Sequence, residues 1–105
     1  MTDFDIDDLK GKAAKAAQLL KALSNEYRLL VLCELAQGER SVSALQEVVG
    51  LGQSALSQHL ARLRRDGLVT ARRSAQTVLY SISSDEVMAL IATLYELYCK
   101  EAVEA

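Results

Sequence analysis

Gln53-Ser54-Ala55-Leu56-Ser57-Gln58-His59-Leu60-Ala61-Arg62-Leu63-Arg64-Arg65-Asp66-Gly67 is the most informative stretch of this chain. Wound as a helix, at about 100° per residue, it puts Leu56, Leu60 and Leu63 on one stripe that has to face a core. Ser54, Gln58, Ala61, Arg62 and Arg65 fall opposite, with Ser57 at their edge. That outward face holds small residues, amides and guanidiniums and no acid. Amides reach adenine edges, guanidiniums reach guanine or phosphate, and small residues let a helix sink into a major groove. His59 lies on the flank between the two faces. It is the one histidine of the chain, so it cannot build a metal site unaided, and it reads as a packing or phosphate-orienting residue.

The flanks extend the pattern. Gly50-Leu51-Gly52 joins this helix to a short one that Ser41 begins, with Val42, Leu45 and Val48 on one face, and the pair makes a helix-turn-helix. Downstream, Leu68 to Arg73 and Thr77 to Ile82 alternate in the strand manner around a polar Ser74-Ala75-Gln76 turn. This hairpin offers Arg72, Arg73 and Gln76 to phosphates or to a flanking minor groove. Upstream, Leu9, Ala13, Ala16, Ala17, Leu20 and Leu23 follow helical spacing from Asp8, and Ser24 is placed to cap a second helix from Asn25 to about Gln37. Ser83 or Ser84 starts a last helix from Asp85 to about Glu101, with acids in its first turn where the helix dipole favours them. The expected architecture is mainly α with a small β-hairpin, in the order α-α-α-α-β-β-α.

Composition narrows the function. The 105 residues fit one domain, and a hydrophobic share of 50% with mean hydropathy of +0.09 argues against disorder. The acidic start, Met1 to Asp8, has no apolar core of a signal peptide, and no run approaches the length of a membrane span. A cytoplasmic protein without membrane contact is expected, its two cysteines thiols at rest. The net charge of −2 hides an asymmetry: Gln53 to Thr77 carries five Arg against Asp66 alone, so a locally basic segment sits on an acidic body. Double-stranded DNA is the partner that segment suits. An enzyme is disfavoured, because neither cysteine has a histidine nearby in sequence to act as its base.

Two segments carry a family resemblance. Leu23-Ser24-Asn25-Glu26-Tyr27-Arg28-Leu29-Leu30 and the run from Gln53 to Val69 resemble the ArsR/SmtB family of winged-helix repressors, and the resemblance extends over nearly the whole chain. It implies a winged helix-turn-helix, a homodimer pairing through its first and last helices, and an inverted-repeat operator. It places Ser54, Ser57, Gln58, His59 and Arg62 at or near the DNA, and Gln53 and Arg65 are further DNA-binding candidates on the same helix. The family's metal sites are not matched: Val31-Leu32-Cys33-Glu34-Leu35 has one Cys where the thiolate site has a pair, and the last helix has no His. No metal and no cofactor is expected.

Cys33 and Cys99 hold the remaining chemistry. Both fall at the border of an apolar stripe, Cys33 where Leu29 and Ala36 meet Glu26 and Gln37, Cys99 beside Met88 and Tyr95 at the edge of Val87, Leu90, Ile91, Leu94 and Tyr98. Two small hydrophobes that happen to be Cys would look the same. Their placement, with Leu97-Tyr98-Cys99 at the chain's end, resembles the sulfide- and redox-responsive branch of the family. That branch implies sensing thiols that face each other within one chain and release DNA when joined by a disulfide or polysulfide, with a small sulfur species or oxidant as inducer. Two alternatives stay open: a repressor sensing arsenite or another thiophilic ion, and an antirepressor that displaces another DNA-binding protein.

Overall fold

Four helix starts rest on an oxygen that accepts otherwise unpaired backbone N–H groups. The computed structural model describes residues 5–99. Asp5 caps α1 (Ile6–Lys10), accepting from the Asp7 amide at 3.0 Å. Asn25 caps α3 (Glu26–Leu35), accepting from Tyr27 and Arg28 at 2.9 and 3.1 Å. Ser41 caps α4 (Val42–Val49) and Ser84 caps α6 (Asp85–Tyr98). Between α1 and α3 lies α2 (Ala13–Leu23), and α5 (Gln53–Arg65) follows Gly52. The strands are β1 (Arg40–Ser41), β2 (Val69–Ser74) and β3 (Thr77–Ile82), in one antiparallel sheet ordered β1-β3-β2.

The order of expected elements stands, with local corrections. The helix expected from Asp8 to Leu23 is two helices, because Lys12, at φ −123° and ψ 2°, leaves helical geometry after Gly11. The cap expected at Ser24 is Asn25, whose carboxamide holds two amides at once. Strand β1 went unread, since two residues are too short to show alternation. Ser74, expected in the turn, is paired with Thr77, which leaves Ala75-Gln76 as the turn and Ala75 in the left-handed region at φ 57°. On α4 the structure buries Leu45 and Val49 and leaves Val48 exposed. Gly50, at φ +81°, then turns the chain in a left-handed conformation that suits glycine. The end expected for α6, at Lys100 and Glu101, lies outside the described residues.

The leucine stripe of α5 is the centre of the core. Leu56, Leu60 and Leu63 are at most 1% exposed and share one cluster with Val31, Leu32 and Leu35 of α3, Leu45 of α4, Leu68 and Val69, and Val87 and Ile91 of α6. A separate set of apolar side chains faces outward: Ile6, Leu9 and Leu20 on α1 and α2, and Met88, Tyr95, Leu97 and Tyr98 on α6. Tyr98, placed by the helical wheel in the last helix's apolar stripe, is 80% exposed. No helix among the described residues is long and apolar enough to cross a membrane.

Removing the central leucine tests this core. Leu60→Ala is expected to cost about 2–5 kcal/mol of folding free energy, read as a lower urea midpoint with an unchanged denaturant slope.

Candidate nucleic-acid interface and thiol pair

Burying one stripe of α5 leaves the opposite stripe no option but solvent. Gln53, Ser54, Ser57, Gln58 and Ala61 line a shallow concavity on that outer face, and all five are exposed. Arg65 is exposed further along the helix. None of Gln53, Ser54, Ser57, Gln58 and Arg65 has a side-chain partner among the described residues.

Arg62 is placed differently from the open face expected of it. It is half-buried, with Nε 3.5 Å from Asp66 Oδ2, and that Nε is shut off from solvent without a hydrogen bond. It borders a polar knot that ties α2, α3 and α5. Arg28, buried at 8% exposure, donates from Nε to the Ala22 carbonyl at 2.6 Å and from Nη2 to the Lys21 carbonyl at 3.4 Å. Those carbonyls belong to the last turn of α2, where the helix dipole also favours a cation. Its Nη1 lies 3.4 Å from His59 Nδ1, and the His59 ring stacks on Tyr27 at 6.1 Å between centroids. Burial lowers the Arg28 pKa, and the Arg62 cation adds to that while Asp66 opposes it. Burial and then the Arg28 charge hold His59 below the ordinary histidine value of 6.5. A neutral ring accepting at Nδ1 carries its proton on Nε2. His59 is thus held between Arg28 and Tyr27 on the flank of α5.

On the hairpin, Arg72 and Arg73 part company. Arg72 holds Glu39 in a two-pronged ion pair, Nε to Oε2 at 2.6 Å and Nη2 to Oε1 at 2.8 Å. Each shifts the other's pKa through these bonds, Glu39 down and Arg72 up. Arg73 and Gln76 are exposed and have no such partner among the described residues. Neither Arg28 nor Glu39 was singled out from sequence. A cation inside the apolar run Tyr27 to Leu32 is a signal that could have found the first; the second has none.

The α5 helix, its supporting α4 and the β2–β3 hairpin make a winged helix-turn-helix, and known proteins agree. Residues 25–71 match the family described as bacterial regulatory protein, arsR family. The transcriptional activator HlyU of Vibrio cholerae serotype O1 is 53% identical over 97 residues, 92% of this chain and 90% of that protein. The chain belongs to the ArsR family. Among solved structures, the repressor BigR of Xylella fastidiosa superposes with a TM-score of 0.87 at 36% identity, covering 91% of this chain and 98% of that one. A homodimeric winged helix-turn-helix DNA-binding domain from Mycobacterium bovis gives 0.72 at 35% identity, covering 99% and 94%. This ArsR-family chain is thus a transcriptional regulator that binds DNA, and not an enzyme.

The thiols of this ArsR-family chain are both free. Cys33 is half-buried on α3, and Cys99 is exposed at the end of α6, its amide bonded to the Tyr95 carbonyl at 2.8 Å. Burial pushes the Cys33 thiol up, and the charge on Cys99 pushes it further.

The single histidine makes the polar knot measurable. In an NMR titration His59 is expected to titrate below 6.5, and Arg28→Met to raise its pKa by removing the neighbouring cation. Because the folded value is depressed, acidification below the unfolded value disfavours the fold. Stability attributable to His59 is expected to fall as pH drops through 6.5 toward the folded pKa, a loss absent in His59→Gln when urea midpoints are compared.

Proposed function

We propose that this chain works as a homodimeric regulator that releases an inverted-repeat operator when Cys33 and Cys99 become covalently joined. The placement of Cys33 on α3 and of Cys99 at the end of α6, two helices that pack into one core, carries this reading. The dimer is supported by the outward apolar side chains of α1, α2 and α6 and by the homodimeric relative. In that arrangement each α5 offers Gln53, Ser54, Ser57 and Gln58 to a major groove, with His59 and Arg62 on its flank and Arg65 toward phosphates. Half-sites lie about one helical turn apart, or a multiple. Arg73 and Gln76 reach the flanking backbone, with Arg72 beside them.

Persulfides suit the pair as inducer. Each cysteine thiolate attacks the sulfane sulfur of one persulfide, R–S–SH, and releases R–SH. The two cysteine persulfides then condense to a trisulfide and expel hydrogen sulfide. With one persulfide, Cys33 attacks the inner sulfur of a Cys99 persulfide, giving a disulfide and hydrogen sulfide. The more exposed Cys99 reacts first, and the half-buried Cys33 resolves. A tie between α3 and α6 then biases the spacing of the two recognition helices. A coupling of about 1–3 kcal/mol changes DNA affinity roughly 5- to 150-fold. An activating role, by displacement of another protein from DNA, is favoured by the likeness to a transcriptional activator; transcript levels that fall on gene deletion would select it over repression.

Intact mass is the direct test. Reduced protein treated with a low-molecular-weight persulfide is expected to lose both free thiols and to retain bridging sulfur. Cys33→Ser and Cys99→Ser are expected to bind DNA normally and to stay bound in persulfide; release of DNA from either variant would defeat the proposal. Stoichiometric arsenite binding with no sulfur uptake would mark a thiophilic-ion sensor instead.

The groove reading has its own test. Gln58→Ala is expected to lose about 1–3 kcal/mol on the operator and little on random duplex. Equal losses on both would mean that α5 meets DNA with another face.

A further inference from the structure

We infer that Glu39 is a positioning residue for the wing, and that Arg72 serves as a strut between them, not as a phosphate ligand. In the sheet order β1-β3-β2, the edge strand β2 makes no backbone bonds to β1. Arg72 stands opposite Leu79 of β3, which stands opposite Ser41 of β1. Its guanidinium therefore crosses β3 to reach Glu39, just before β1, and straps the edge strand to the far side of the sheet. Both prongs are short, 2.6 and 2.8 Å, and the planar fork fixes direction as well as distance.

Glu39 is itself anchored. Arg40 Nη1 donates to the Glu39 carbonyl at 2.9 Å, and Arg40 Nε donates to Glu34 Oε2 of α3 at 2.9 Å. Gly38, at φ +144°, makes room for this: a Cβ there would come within 3.2 Å of Arg40 Nη1. Glu34, Arg40, Glu39 and Arg72 thus form a continuous line of charge-assisted bonds from the helix that carries Cys33 to the wing. A phosphate could take the two-pronged Nε–Nη2 edge of Arg72 only by displacing the carboxylate that already fills it. Arg73, next along β2 and unpartnered among the described residues, is the free cation of the wing.

Binding to a random-sequence duplex, measured against salt, separates the two roles because a wing phosphate contact is independent of sequence. As a strut, Glu39→Gln and Arg72→Gln each weaken binding roughly 3- to 10-fold, and the double variant is no worse than either, as for groups in one network. The log–log salt slope stays at the wild-type value, and the melting temperature moves little because the pair is exposed. Arg72→Lys, which keeps the charge and loses the fork, falls with them. The charge-swapped double variant, Glu39→Arg with Arg72→Glu, recovers binding. If Arg72 is instead a phosphate ligand masked by Glu39, Glu39→Gln tightens binding and steepens the slope by about 0.9, while Arg72→Gln flattens it by about the same amount. That result, or a Glu39→Gln variant identical to wild type, overturns the inference. Should Glu39→Gln fail to fold, Arg72→Lys decides alone: wild-type binding overturns the strut, and loss with an unchanged slope supports it.

Discussion

Leu56, Leu60 and Leu63 are the constraint on which the rest of the molecule depends. Each is a branched side chain on one stripe of α5, and a helix can satisfy three such residues only by lying flat on a core. Once it does, the rotation of α5 about its axis has no freedom left. Ser54, Ser57, Gln58 and Ala61 must then face outward, whatever they are. The side chains that would read DNA are therefore aimed by residues that never touch it. A slip in that rotation would expose the leucines and bury an amide without a partner, and both cost free energy.

Position along the chain axis is set by a second interaction, which is polar. The Arg28 guanidinium closes the last turn of α2 through two carbonyls and then faces His59 of α5. A cation buried this far is tolerable only where its donors are occupied, and the end of a helix supplies acceptors with the right sign of dipole. The consequence is geometric: α2, which carries the exposed Leu20, and α5, whose outward face is polar, share a fixed point. A change in how α2 packs has a rigid route to α5.

How far these features could be read from sequence depended on how local their causes are. The leucine stripe, the Gly50 turn, the Ser41 cap and the hairpin alternation are each written within a dozen residues and are legible there, while the last helix's cap is narrowed to Ser83 or Ser84. The break after Gly11 was missed because the apolar spacing runs straight through it, while the backbone does not. Asn25 and Ser24 are both good caps, and sequence alone could not choose between neighbours. The roles of Arg62 and Arg72 were less legible for a different reason. A wheel shows which way a guanidinium leaves its helix or strand, but its long stem then bends toward whatever carboxylate is near. Asp66 and Glu39 decide that, and Glu39 is brought to Arg72 only by the sheet. His59 shows the same dependence from the other side: its partners Tyr27 and Arg28 sit on another helix.

The net positive charge of the Gln53–Thr77 segment is consequently not spread evenly over the surface that faces outward. Arg62 leans on Asp66 and Arg72 is clasped by Glu39, whereas Arg65 and Arg73 stand free among the described residues. Paired cations contribute little to long-range attraction, because their field is cancelled within a few ångströms and salt screens what remains. Attraction of DNA then rests on fewer charges than composition suggests, and the paired ones are left to hold shape. Such a division suits a regulator. If every arginine met phosphate, affinity would be high and hard to lift; with some of them bracing α5 and the wing, a small shift in α3 or α6 changes the geometry of the free ones. The thiols sit on those two helices, Cys33 one residue before the Glu34 that anchors the line to the wing.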